Sequence, residues 1–188
     1  MQISTALLNH FGLTNEELAV VLPFFQLLDY PRSSYFLREG KAVDRIGFIK
    51  EGITREYFIA KDKEITKFIG TAGNFISDVS GVNFETASRW TIETVTDCQI
   101  YTLLKQDLST IRELLPRWTS IEKLFTAKCL LSAENRILEH LQLNAEERYL
   151  KLLEEKPSIF NYVEGKHIAS YLGITPETLS RFRSKHSK

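Results

Sequence analysis

Residues 166–185 read KHIASYLGITPETLSRFRSK, and this stretch decides how the C-terminal part of the chain folds. Apolar residues fall at helical spacing on both sides of the short segment GIT. Ile168 and Leu172 are four residues apart, and Leu179 and Phe182 are three apart, so each pair lies on one face of a helix. The spacing therefore predicts two short amphipathic helices joined by a sharp turn.

The residues around this turn have the chemistry that a helix-turn-helix requires. Ala169 places a small side chain on the packing side, where a larger one would hold the two helices apart. Gly173 allows the left-handed conformation that ends the first helix. Thr175 supplies an N-cap oxygen for the second helix, and Pro176 occupies its first position. Residues 165–184 thus predict a helix-turn-helix, a motif typical of DNA binding, and an accidental helical hairpin is the alternative.

The polar residues of the second predicted helix suit a reader of the DNA major groove. Glu177, Thr178, Ser180 and Arg181 lie in its first turns, on the side away from the apolar pair. Arg181 can donate to guanine O6 and N7 together, and Glu177 can accept from cytosine N4. We therefore predict that these four side chains read bases.

The end of the chain is basic although the whole sequence has 24 basic and 24 acidic residues. Between positions 166 and 188, five lysines and arginines stand against Glu177 alone, a net charge of plus four. DNA phosphates attract such a segment. The predicted phosphate contacts are Lys166, His167, Ser170, Thr175, Arg183, Lys185, His186 and Lys188. For the last four residues, a solvated chain end is the alternative.

The chain between Asp29 and Leu103 has the pattern of short β-strands. The predicted strands are SSYFLREG, DRIGFIKEG, ITREYFIA, EITKFIG, WTIETVT and CQIYTLL. Gly40, Gly52 and the segments AKDK and GTAGN separate them and favour turns. This part predicts a single antiparallel roll or barrel.

Two further helices are indicated by capping boxes. The stretch TNEELAVVLPFFQLL begins with Thr14, which is predicted to be the N-cap of a helix, with Glu17 as its reciprocal partner. The stretch AEERYLKLLEE follows Asn144, which is predicted to be the N-cap of a second helix, with Glu147 as its reciprocal partner. Pro157 ends the second of these helices, and SIFNYV beyond it is predicted to be extended.

Helical periodicity returns near Lys105 and continues for most of the remaining chain. The helix QDLSTIRELL ends before Pro116, and a longer helix with an apolar stripe follows. The stripe comprises Trp118, Ile121, Leu124, Phe125, Lys128, Leu131, Ile137, Leu138 and Leu141. A helix of this length extends beyond a small roll, so we predict that Trp118, Ile121, Leu124, Phe125 and Lys128 pair with the same helix of a second subunit. The alternative is that the stripe covers its own roll.

Several classes of protein are disfavoured by composition. No apolar run reaches the length of about 18 residues that a membrane span needs, and the first segment lacks a basic n-region, so we expect no membrane association and a cytoplasmic location. Cys98 and Cys129 are expected to be core-filling thiols, because two cysteines form neither a disulfide framework nor a four-thiolate metal site. The chain has no G-x-S-x-G, H-E-x-x-H or P-loop motif, and we predict neither catalytic residues nor metal ligands.

The predicted roll, the long helix and the C-terminal IASYLGITPETLSRFR together resemble the Crp/Fnr family of bacterial transcription regulators over essentially the whole chain. The resemblance implies an α+β fold with an N-terminal antiparallel β-roll, which is a cyclic-nucleotide-binding-like jelly roll. A long dimerisation helix and a C-terminal helix-turn-helix DNA-binding domain follow it. We place the roll with its flanking helices at 1–116, the dimerisation helix at 117–142 and the DNA-binding domain at 143–188. The implied partners are double-stranded DNA, a second copy of the chain and RNA polymerase.

The recognition stretch departs from the family pattern at one position. The family has R-E-T-[VL]-[GS]-R, with both arginines and the glutamate contacting bases, whereas this chain has PETLSR. Glu177 and Arg181 match, but Pro176 stands for the first arginine, so we expect a different operator. Many relatives continue into a two-stranded wing, and the sequence given ends at Lys188, so we expect some backbone contacts to be missing or supplied elsewhere.

The resemblance also implies a phosphate cassette, F-G-E followed after a spacer by R-[ST]-A. Its glutamate takes the ribose 2′-hydroxyl and its arginine takes the cyclic phosphate. Here Phe75 matches, but Ile76 and Ser77 stand for the Gly and the Glu, and Asp78 comes one place late. The arginine position falls on Ser88, with Arg89 one residue out of register, a step that moves a strand side chain to the other face.

Charge also disfavours a phosphodiester in this region. From 70 to 103 four acidic residues stand against Arg89, a net charge of minus three. We therefore predict that cyclic AMP is not bound in the family manner, and we assign no cofactor with certainty. The candidate effector pocket comprises Phe75, Ser77, Asp78, Ser88, Arg89 and Trp90. A loop insertion that returns Arg89 to the pocket, a different small molecule, no ligand, and Trp90 as ordinary packing are the alternatives.

Two functions follow from these patterns. The first is a dimeric, sequence-specific transcription regulator of the Crp/Fnr type. The second is a cyclic-nucleotide or other small-molecule sensor module whose helical tail docks a protein partner. Steep salt dependence of duplex binding distinguishes the first from the second.

Overall fold

The computed structural model describes residues 2–186, apart from the side chains of Asn9 and His10. Lys188, a predicted phosphate contact, lies outside this range. No helix within the described residues is both long and apolar enough to cross a bilayer.

Two short helices open the chain, α1 (Ile3–Phe11) and α2 (Asn15–Val21). The predicted capping box begins α2: Thr14 Oγ accepts from Glu17 N–H at 3.2 Å, and Glu17 accepts from Thr14 N–H at 2.9 Å. The predicted continuation of this helix to Leu28 is wrong. Pro23 lies in a 3-10 turn, and Gln26 begins a strand because its backbone pairs with a distant one.

Within the described residues, eight strands form two antiparallel sheets, and six of these strands match segments that the sequence predicts to be strands. They are β1 (Gln26–Tyr30), β2 (Tyr35–Leu37), β3 (Arg45–Glu51), β4 (Thr54–Ala60), β5 (Lys63–Gly70), β6 (Phe75–Ile76), β7 (Thr91–Thr94) and β8 (Cys98–Leu104). The strand orders are β1-β8-β3-β6 and β2-β7-β4-β5. Buried side chains of both sheets, including Phe36, Ile49, Ile92, Cys98 and Ile100, form the core of the roll. The sequence did not indicate β1, β6 or the short helix α3 (Val79–Phe84).

Two helices follow the roll, α4 (Leu108–Leu114) and α5 (Trp118–Gln142). The first turns of α5 pack against the roll and α1: Trp118 and Ile121 are buried in this core, and Phe125 is half-buried against it. Lys128 is exposed, with its ammonium 5.0 Å from the ring centroid of Phe11. These four predicted dimer residues therefore pack against their own chain. This agrees with the alternative that the apolar stripe covers its own roll.

The opposite face of α5 remains exposed. Leu124 is the one predicted dimer residue on this face among the described side chains. The exposed apolar side chains are Leu124, Leu130, Leu131, Ile137, Leu138 and Leu141. The helix thus has two apolar faces, and only one of them is covered in the single chain.

The last described residues form four helices, α6 (Ala145–Glu155), α7 (Ile159–Tyr162), α8 (Gly165–Leu172) and α9 (Pro176–His186). The predicted capping box of Asn144 and Glu147 begins α6. The prediction of an extended SIFNYV is wrong, because Ile159 and Val163 insert on one side of a helical turn into the core of this region. That core also contains Ile53 and Ile69 of the roll, so the C-terminal helices dock directly on the β4–β5 side of the roll.

Candidate nucleic-acid interface

The turn between α8 and α9 has the predicted geometry. Gly173 ends α8 with φ of 68°, in the left-handed region. Thr175 Oγ accepts from the Thr178 N–H at 3.2 Å and so caps α9. Ala169 is buried between the helices, and its carbonyl accepts from the Ile174 N–H at 3.0 Å. The helix-turn-helix prediction is confirmed at these positions.

The face of α9 that carries the predicted base readers points away from the core. Leu179 and Phe182 are buried and hold α9 to the domain. Glu177, Ser180 and Arg181 are exposed, whereas Thr178 is half-buried beside the capping threonine. The backbone N–H of Glu177 itself, and then the side chain of Thr175, hold the pKa of the Glu177 carboxyl below its usual value, which keeps this group an acceptor. Three polar side chains therefore form one accessible face.

The basic residues at the end of α9 have partners within the domain. Lys185 Nζ and His186 Nε2 lie 2.8 and 2.6 Å from Glu146 Oε1. These contacts hold the pKa of Glu146 below its ordinary value. The guanidinium of Arg183 lies 5.6 Å from the Phe160 ring centroid. Lys185 is an exposed cation, but Glu146 offsets part of its charge.

The predicted phosphate contacts on α8 divide into two kinds. Lys166 is exposed, with its ammonium 2.9 Å from Glu164. His167 and Ser170 instead face the roll: Arg55 Nη1 lies 3.3 Å from His167 Nε2, and the Thr66 N–H donates to Ser170 Oγ at 2.9 Å. In this arrangement, His167 and Ser170 belong to a contact between domains and not to an open DNA-facing surface.

Arg55 organises that contact, and sequence reasoning missed it. Its side chain is only 1% exposed, lies 2.7 Å from Glu64 and 3.2 Å from Glu93, and donates from Nε to Thr66 Oγ at 3.1 Å. Because an arginine has donors only, His167 Nε2 must be the acceptor and the ring is neutral. Burial, and then the charge of Arg55, lower the pKa of His167. The signal in the sequence was an arginine within the apolar strand ITREYFIA.

Asp78 accepts four hydrogen bonds in the region of the predicted phosphate cassette. Its Oδ1 accepts from the N–H groups of Ser80 and Gly81, both at 3.1 Å, and from the Ser80 hydroxyl at 2.6 Å. Its Oδ2 accepts from the Arg89 N–H at 2.8 Å. Burial acts to raise the pKa of this carboxyl, but the hydrogen bonds outweigh it and hold the pKa below the ordinary value. A charged carboxylate therefore occupies the N–H donors of Ser80, Gly81 and Arg89 in the region of the predicted phosphate cassette.

The side chains of the other candidate effector residues have contacts within the chain. Arg89 is exposed, with its guanidinium stacked 4.5 Å from the Trp90 ring centroid, and Lys67 lies 4.2 Å from the same ring. Ser88 Oγ donates to the Trp90 carbonyl at 2.8 Å. Ser77 Oγ donates to the Arg45 carbonyl at 3.0 Å, and Phe75 packs with Phe11, Phe48 and Phe125.

The fold is shared with known structures. FixK2 from Bradyrhizobium japonicum aligns with a TM-score of 0.72 and 19% identity, covering 86% of this chain and 83% of that one. The c-di-GMP responsive global regulator CLP of Xanthomonas campestris aligns with a TM-score of 0.70 and 16% identity over 93% and 92% of the two chains. The catabolite activator protein of Thermus thermophilus aligns with a TM-score of 0.59 and 21% identity, covering 94% of this chain and 84% of that one.

The sequence matches no protein-family model and no curated protein sequence. The structural similarities nevertheless cover 86% to 94% of this chain. The predicted fold class is confirmed by them.

Proposed function

We propose that this chain is a dimeric, sequence-specific DNA-binding transcription regulator of the Crp/Fnr type that does not respond to cyclic AMP in the usual way. The observation that carries the proposal is the exposed Glu177, Ser180 and Arg181 face of α9, on a helix whose Leu179 and Phe182 are buried. A capped recognition helix with a polar outer face is what a major-groove reader needs. The regulators named above, which share the fold, support the same function.

The uncovered face of α5 supports the dimer. Leu124, Leu131 and Leu138 are seven residues apart, and all three are exposed in the single chain. Apolar residues at heptad spacing pair with a second helix in a coiled coil. A twofold axis along α5 would relate two copies of α9, as a palindromic operator requires.

Sequence recognition is assigned to α9. Arg181 addresses a guanine, and Glu177 accepts from a cytosine, so the two side chains read neighbouring base pairs. Thr178 and Ser180 are the further base readers of the proposal. Pro176 carries no donor where the family places an arginine, so one base of the usual operator goes unread. Lys166, Thr175, Arg183 and Lys185 are the proposed phosphate contacts.

The proposed effector chemistry excludes a phosphodiester at the cassette. Asp78 already holds a negative charge against the N–H groups of Ser80, Gly81 and Arg89. A cyclic phosphate at this place would meet a like charge and would find its donors occupied. Titration of the purified protein with cyclic AMP should therefore release no measurable heat of binding.

Selection from random duplex DNA with the purified chain tests the proposal. We expect enriched sites with twofold symmetry, whose half-sites lie about 34–36 Å apart. Affinity should also fall steeply between low and moderate salt, because several phosphates release counterions. Failure to enrich any sequence, with weak and salt-insensitive duplex binding, would favour the alternative of a sensor module that docks a protein partner.

RNA polymerase and the cytoplasm complete the proposal as partner and location. Both follow from the resemblance to bacterial transcription regulators. Transcription in vitro from a promoter that carries the selected site, with and without the protein, tests the first of them and shows whether the regulator activates or represses.

A further inference from the structure

A carboxylate from another helix lies against the basic end of α9. Lys185 Nζ lies 2.8 Å from Glu146 Oε1 and donates to Glu146 Oε2 at 3.1 Å. His186 Nε2 lies 2.6 Å from the same Oε1 and is the donor, because an ionised carboxylate has acceptors only. Lysine and histidine side chains bind phosphate oxygens in the same way. Glu146 therefore occupies the place that a phosphate oxygen would take between these two side chains.

Packing between α6 and α9 keeps Glu146 in this place. Tyr149 follows Glu146 by three residues, so their side chains are neighbours on one side of α6. The buried ring of Tyr149 lies 5.6 Å from the ring of Phe182 and 6.0 Å from that of His186, between centroids. The position of the carboxylate thus follows from the core of the domain and does not depend on the ion pairs alone.

The contact is nevertheless open to solvent. The side chains of Lys185, Glu146 and His186 are 61%, 30% and 26% exposed. Ion pairs between exposed side chains contribute little to stability and are screened by salt. The dense negative charge of a duplex backbone can therefore displace the carboxylate without unfolding the domain.

The site lies in line with the proposed base readers. Glu177, Arg181 and Lys185 follow one another at steps of four residues, so they are neighbours along one side of α9. Lys185 comes about 6 Å beyond Arg181 along the helix axis. When Arg181 reaches a base edge, Lys185 is therefore carried to the border of the major groove, where the phosphates lie.

We propose that Lys185 and His186 form a phosphate-binding site, and that Glu146 fills this site in the free protein as an internal competitor. The inference rests on the proposed function for its ligand, which is a phosphodiester group of the DNA backbone. Every duplex complex must displace Glu146, so the carboxylate lowers the affinity for all sequences alike. Glu146 contacts no base reader, so the preferred operator does not depend on it.

The variant Glu146→Gln removes the competing charge and keeps the size of the side chain. Asn144 and Glu147 still form the capping box of α6, so the domain should fold. At 0.1 M salt, duplex affinity should rise about fivefold, which corresponds to the upper range for an exposed ion pair. The rise should be the same with and without the selected site. The slope of log affinity against log salt should steepen by about 0.9, the value of one added phosphate contact.

Glu154→Gln is the matched control, because it makes the same change of net charge at an exposed position of the same helix. It lies about 12 Å further along α6, beyond the screening length of about 10 Å at 0.1 M salt. Its duplex affinity should equal that of the wild type. Adding Lys185→Ala to Glu146→Gln should abolish most of the gain. Equal gains in the two glutamine variants, or a gain that survives the loss of Lys185, would overturn the proposal, because net charge alone would then explain it.

A measurement without DNA separates this inference from the proposed function. The chain has four histidines, so its ¹H–¹³C spectrum contains four imidazole Cε1–H signals, and His186→Gln assigns one of them. Inorganic phosphate is the probe, added at constant pH and ionic strength. It should move the His186 signal in a saturable way, at a concentration about fivefold lower in Glu146→Gln than in the wild type.

The outcomes of the phosphate titration are distinct. Equal concentrations in the wild type and in Glu146→Gln would overturn the role of Glu146 as competitor, whether or not the chain binds DNA. A His186 signal that does not move in either protein would overturn the phosphate site itself. If phosphate binds as expected and neither protein binds any duplex, the site and its competitor are supported and the proposed function fails.

Discussion

Asp78 places a carboxylate against three backbone N–H groups, those of Ser80, Gly81 and Arg89. In sequence, it is one place late for the glutamate of a nucleotide cassette. In the structure, the Asp78 side chain caps the N-terminus of α3 and accepts a hydrogen bond from the Arg89 N–H. The region of the predicted phosphate cassette thus contains a negatively charged carboxylate of its own.

Arg181 is the side chain on which sequence recognition should depend most. Replacing it by Ala should cost about 1 to 3 kcal/mol at the best site and relax the preference at one base position, because both donors to guanine are lost. Lys185→Ala is the control, since loss of a phosphate contact weakens all sequences alike. Competition binding with variant duplexes measures both. Equal losses on every sequence for Arg181→Ala would contradict base reading.

Gly173 is required by its backbone conformation. With φ of 68°, an alanine here should lower the free energy of unfolding by about 1–2 kcal/mol. The added Cβ would lie 3.5 Å from His140 Cε1, an ordinary contact, so the cost comes from the backbone. Gly165→Ala is the matched control: its Cβ would meet nothing closer than 3.8 Å, and we expect no loss. Urea denaturation of both variants checks the difference.

At the scale of elements, one face of α5 is buried against the roll and the opposite face is exposed. Trp118 and Ile121 complete the core of the roll, whereas Leu131 and Leu138 are 56% and 48% exposed. Periodicity alone assigned both sets to a single stripe. The buried set needs no second subunit, so the dimer proposal rests on the exposed set.

Placing charged side chains on the exposed face of α5 tests whether this face joins two subunits. Leu131→Asp together with Leu138→Asp should convert the dimer to a monomer, because each leucine removed from an interface costs about 2 kcal/mol and the aspartates repel across a twofold axis. Sedimentation velocity measures the state. Ile59→Asp is the control, as Ile59 is similarly exposed at 59% but lies on the roll. A dimer that survives the double change would show that another surface joins the subunits.

Short elements were the ones that sequence patterns missed. The pattern near Leu28 favoured a helix, yet β1 forms because its residues pair with β8, from Gln26 with Thr102 to Tyr30 with Cys98. Similarly, α7 forms because its apolar side chains fill a core made by other helices. In both cases, tertiary contacts override a weak local preference.

At the scale of the whole molecule, the C-terminal helices dock on the roll through few but well-defined contacts. Arg55 and Thr66 reach His167 and Ser170, and Lys156 Nζ donates to the Ile69 carbonyl at 2.9 Å. Burial lowers the pKa of Lys156, which is the cost of placing this ammonium in the contact. The outer face of α9 remains exposed in this arrangement, whereas His167 and Ser170 of α8 are turned toward the roll.

The docked arrangement should weaken in acid because His167 must accept its bond from Arg55 as a neutral ring. Its pKa is lowered below the ordinary 6.5 in the docked state, so undocking takes up a proton. The contact is at full strength above about pH 6.5 and weakens as pH falls below it. Lys166 adds to the repulsion of a charged ring, and Glu164 and Glu64 oppose it.

Hydrogen exchange of the Thr66 amide, which donates to Ser170 Oγ, reports the docking. Its protection, corrected for intrinsic rate, should fall between pH 7.5 and about pH 5.5. His167→Gln should keep an acceptor for Arg55 and lose the dependence on pH. His140→Gln is the control, because the pKa of His140 is also lowered by burial, and by Arg148, but it lies beside Gly173, away from the roll. Unchanged protection in the wild type would contradict this role of His167.

The sequence by itself determined what depends on neighbours along the chain. The turn chemistry from Ala169 to Pro176 and the two capping boxes act within a few residues, so their helices could be located without a structure. Strand patterns likewise indicated the antiparallel class of the roll. Arg181 and Glu177 could be placed on an outer face because helical spacing fixes which side chains share a face.

Only the tertiary structure decided which partner each surface meets. Arg55 and His167 are 112 residues apart in sequence, and no local pattern joins them. The two faces of α5 were both apolar, so only packing assigned one to the roll. Contacts between distant residues depend on how complete elements fit together, and side-chain volumes and hydrogen-bond geometry in three dimensions, not spacing along the chain, determine that fit.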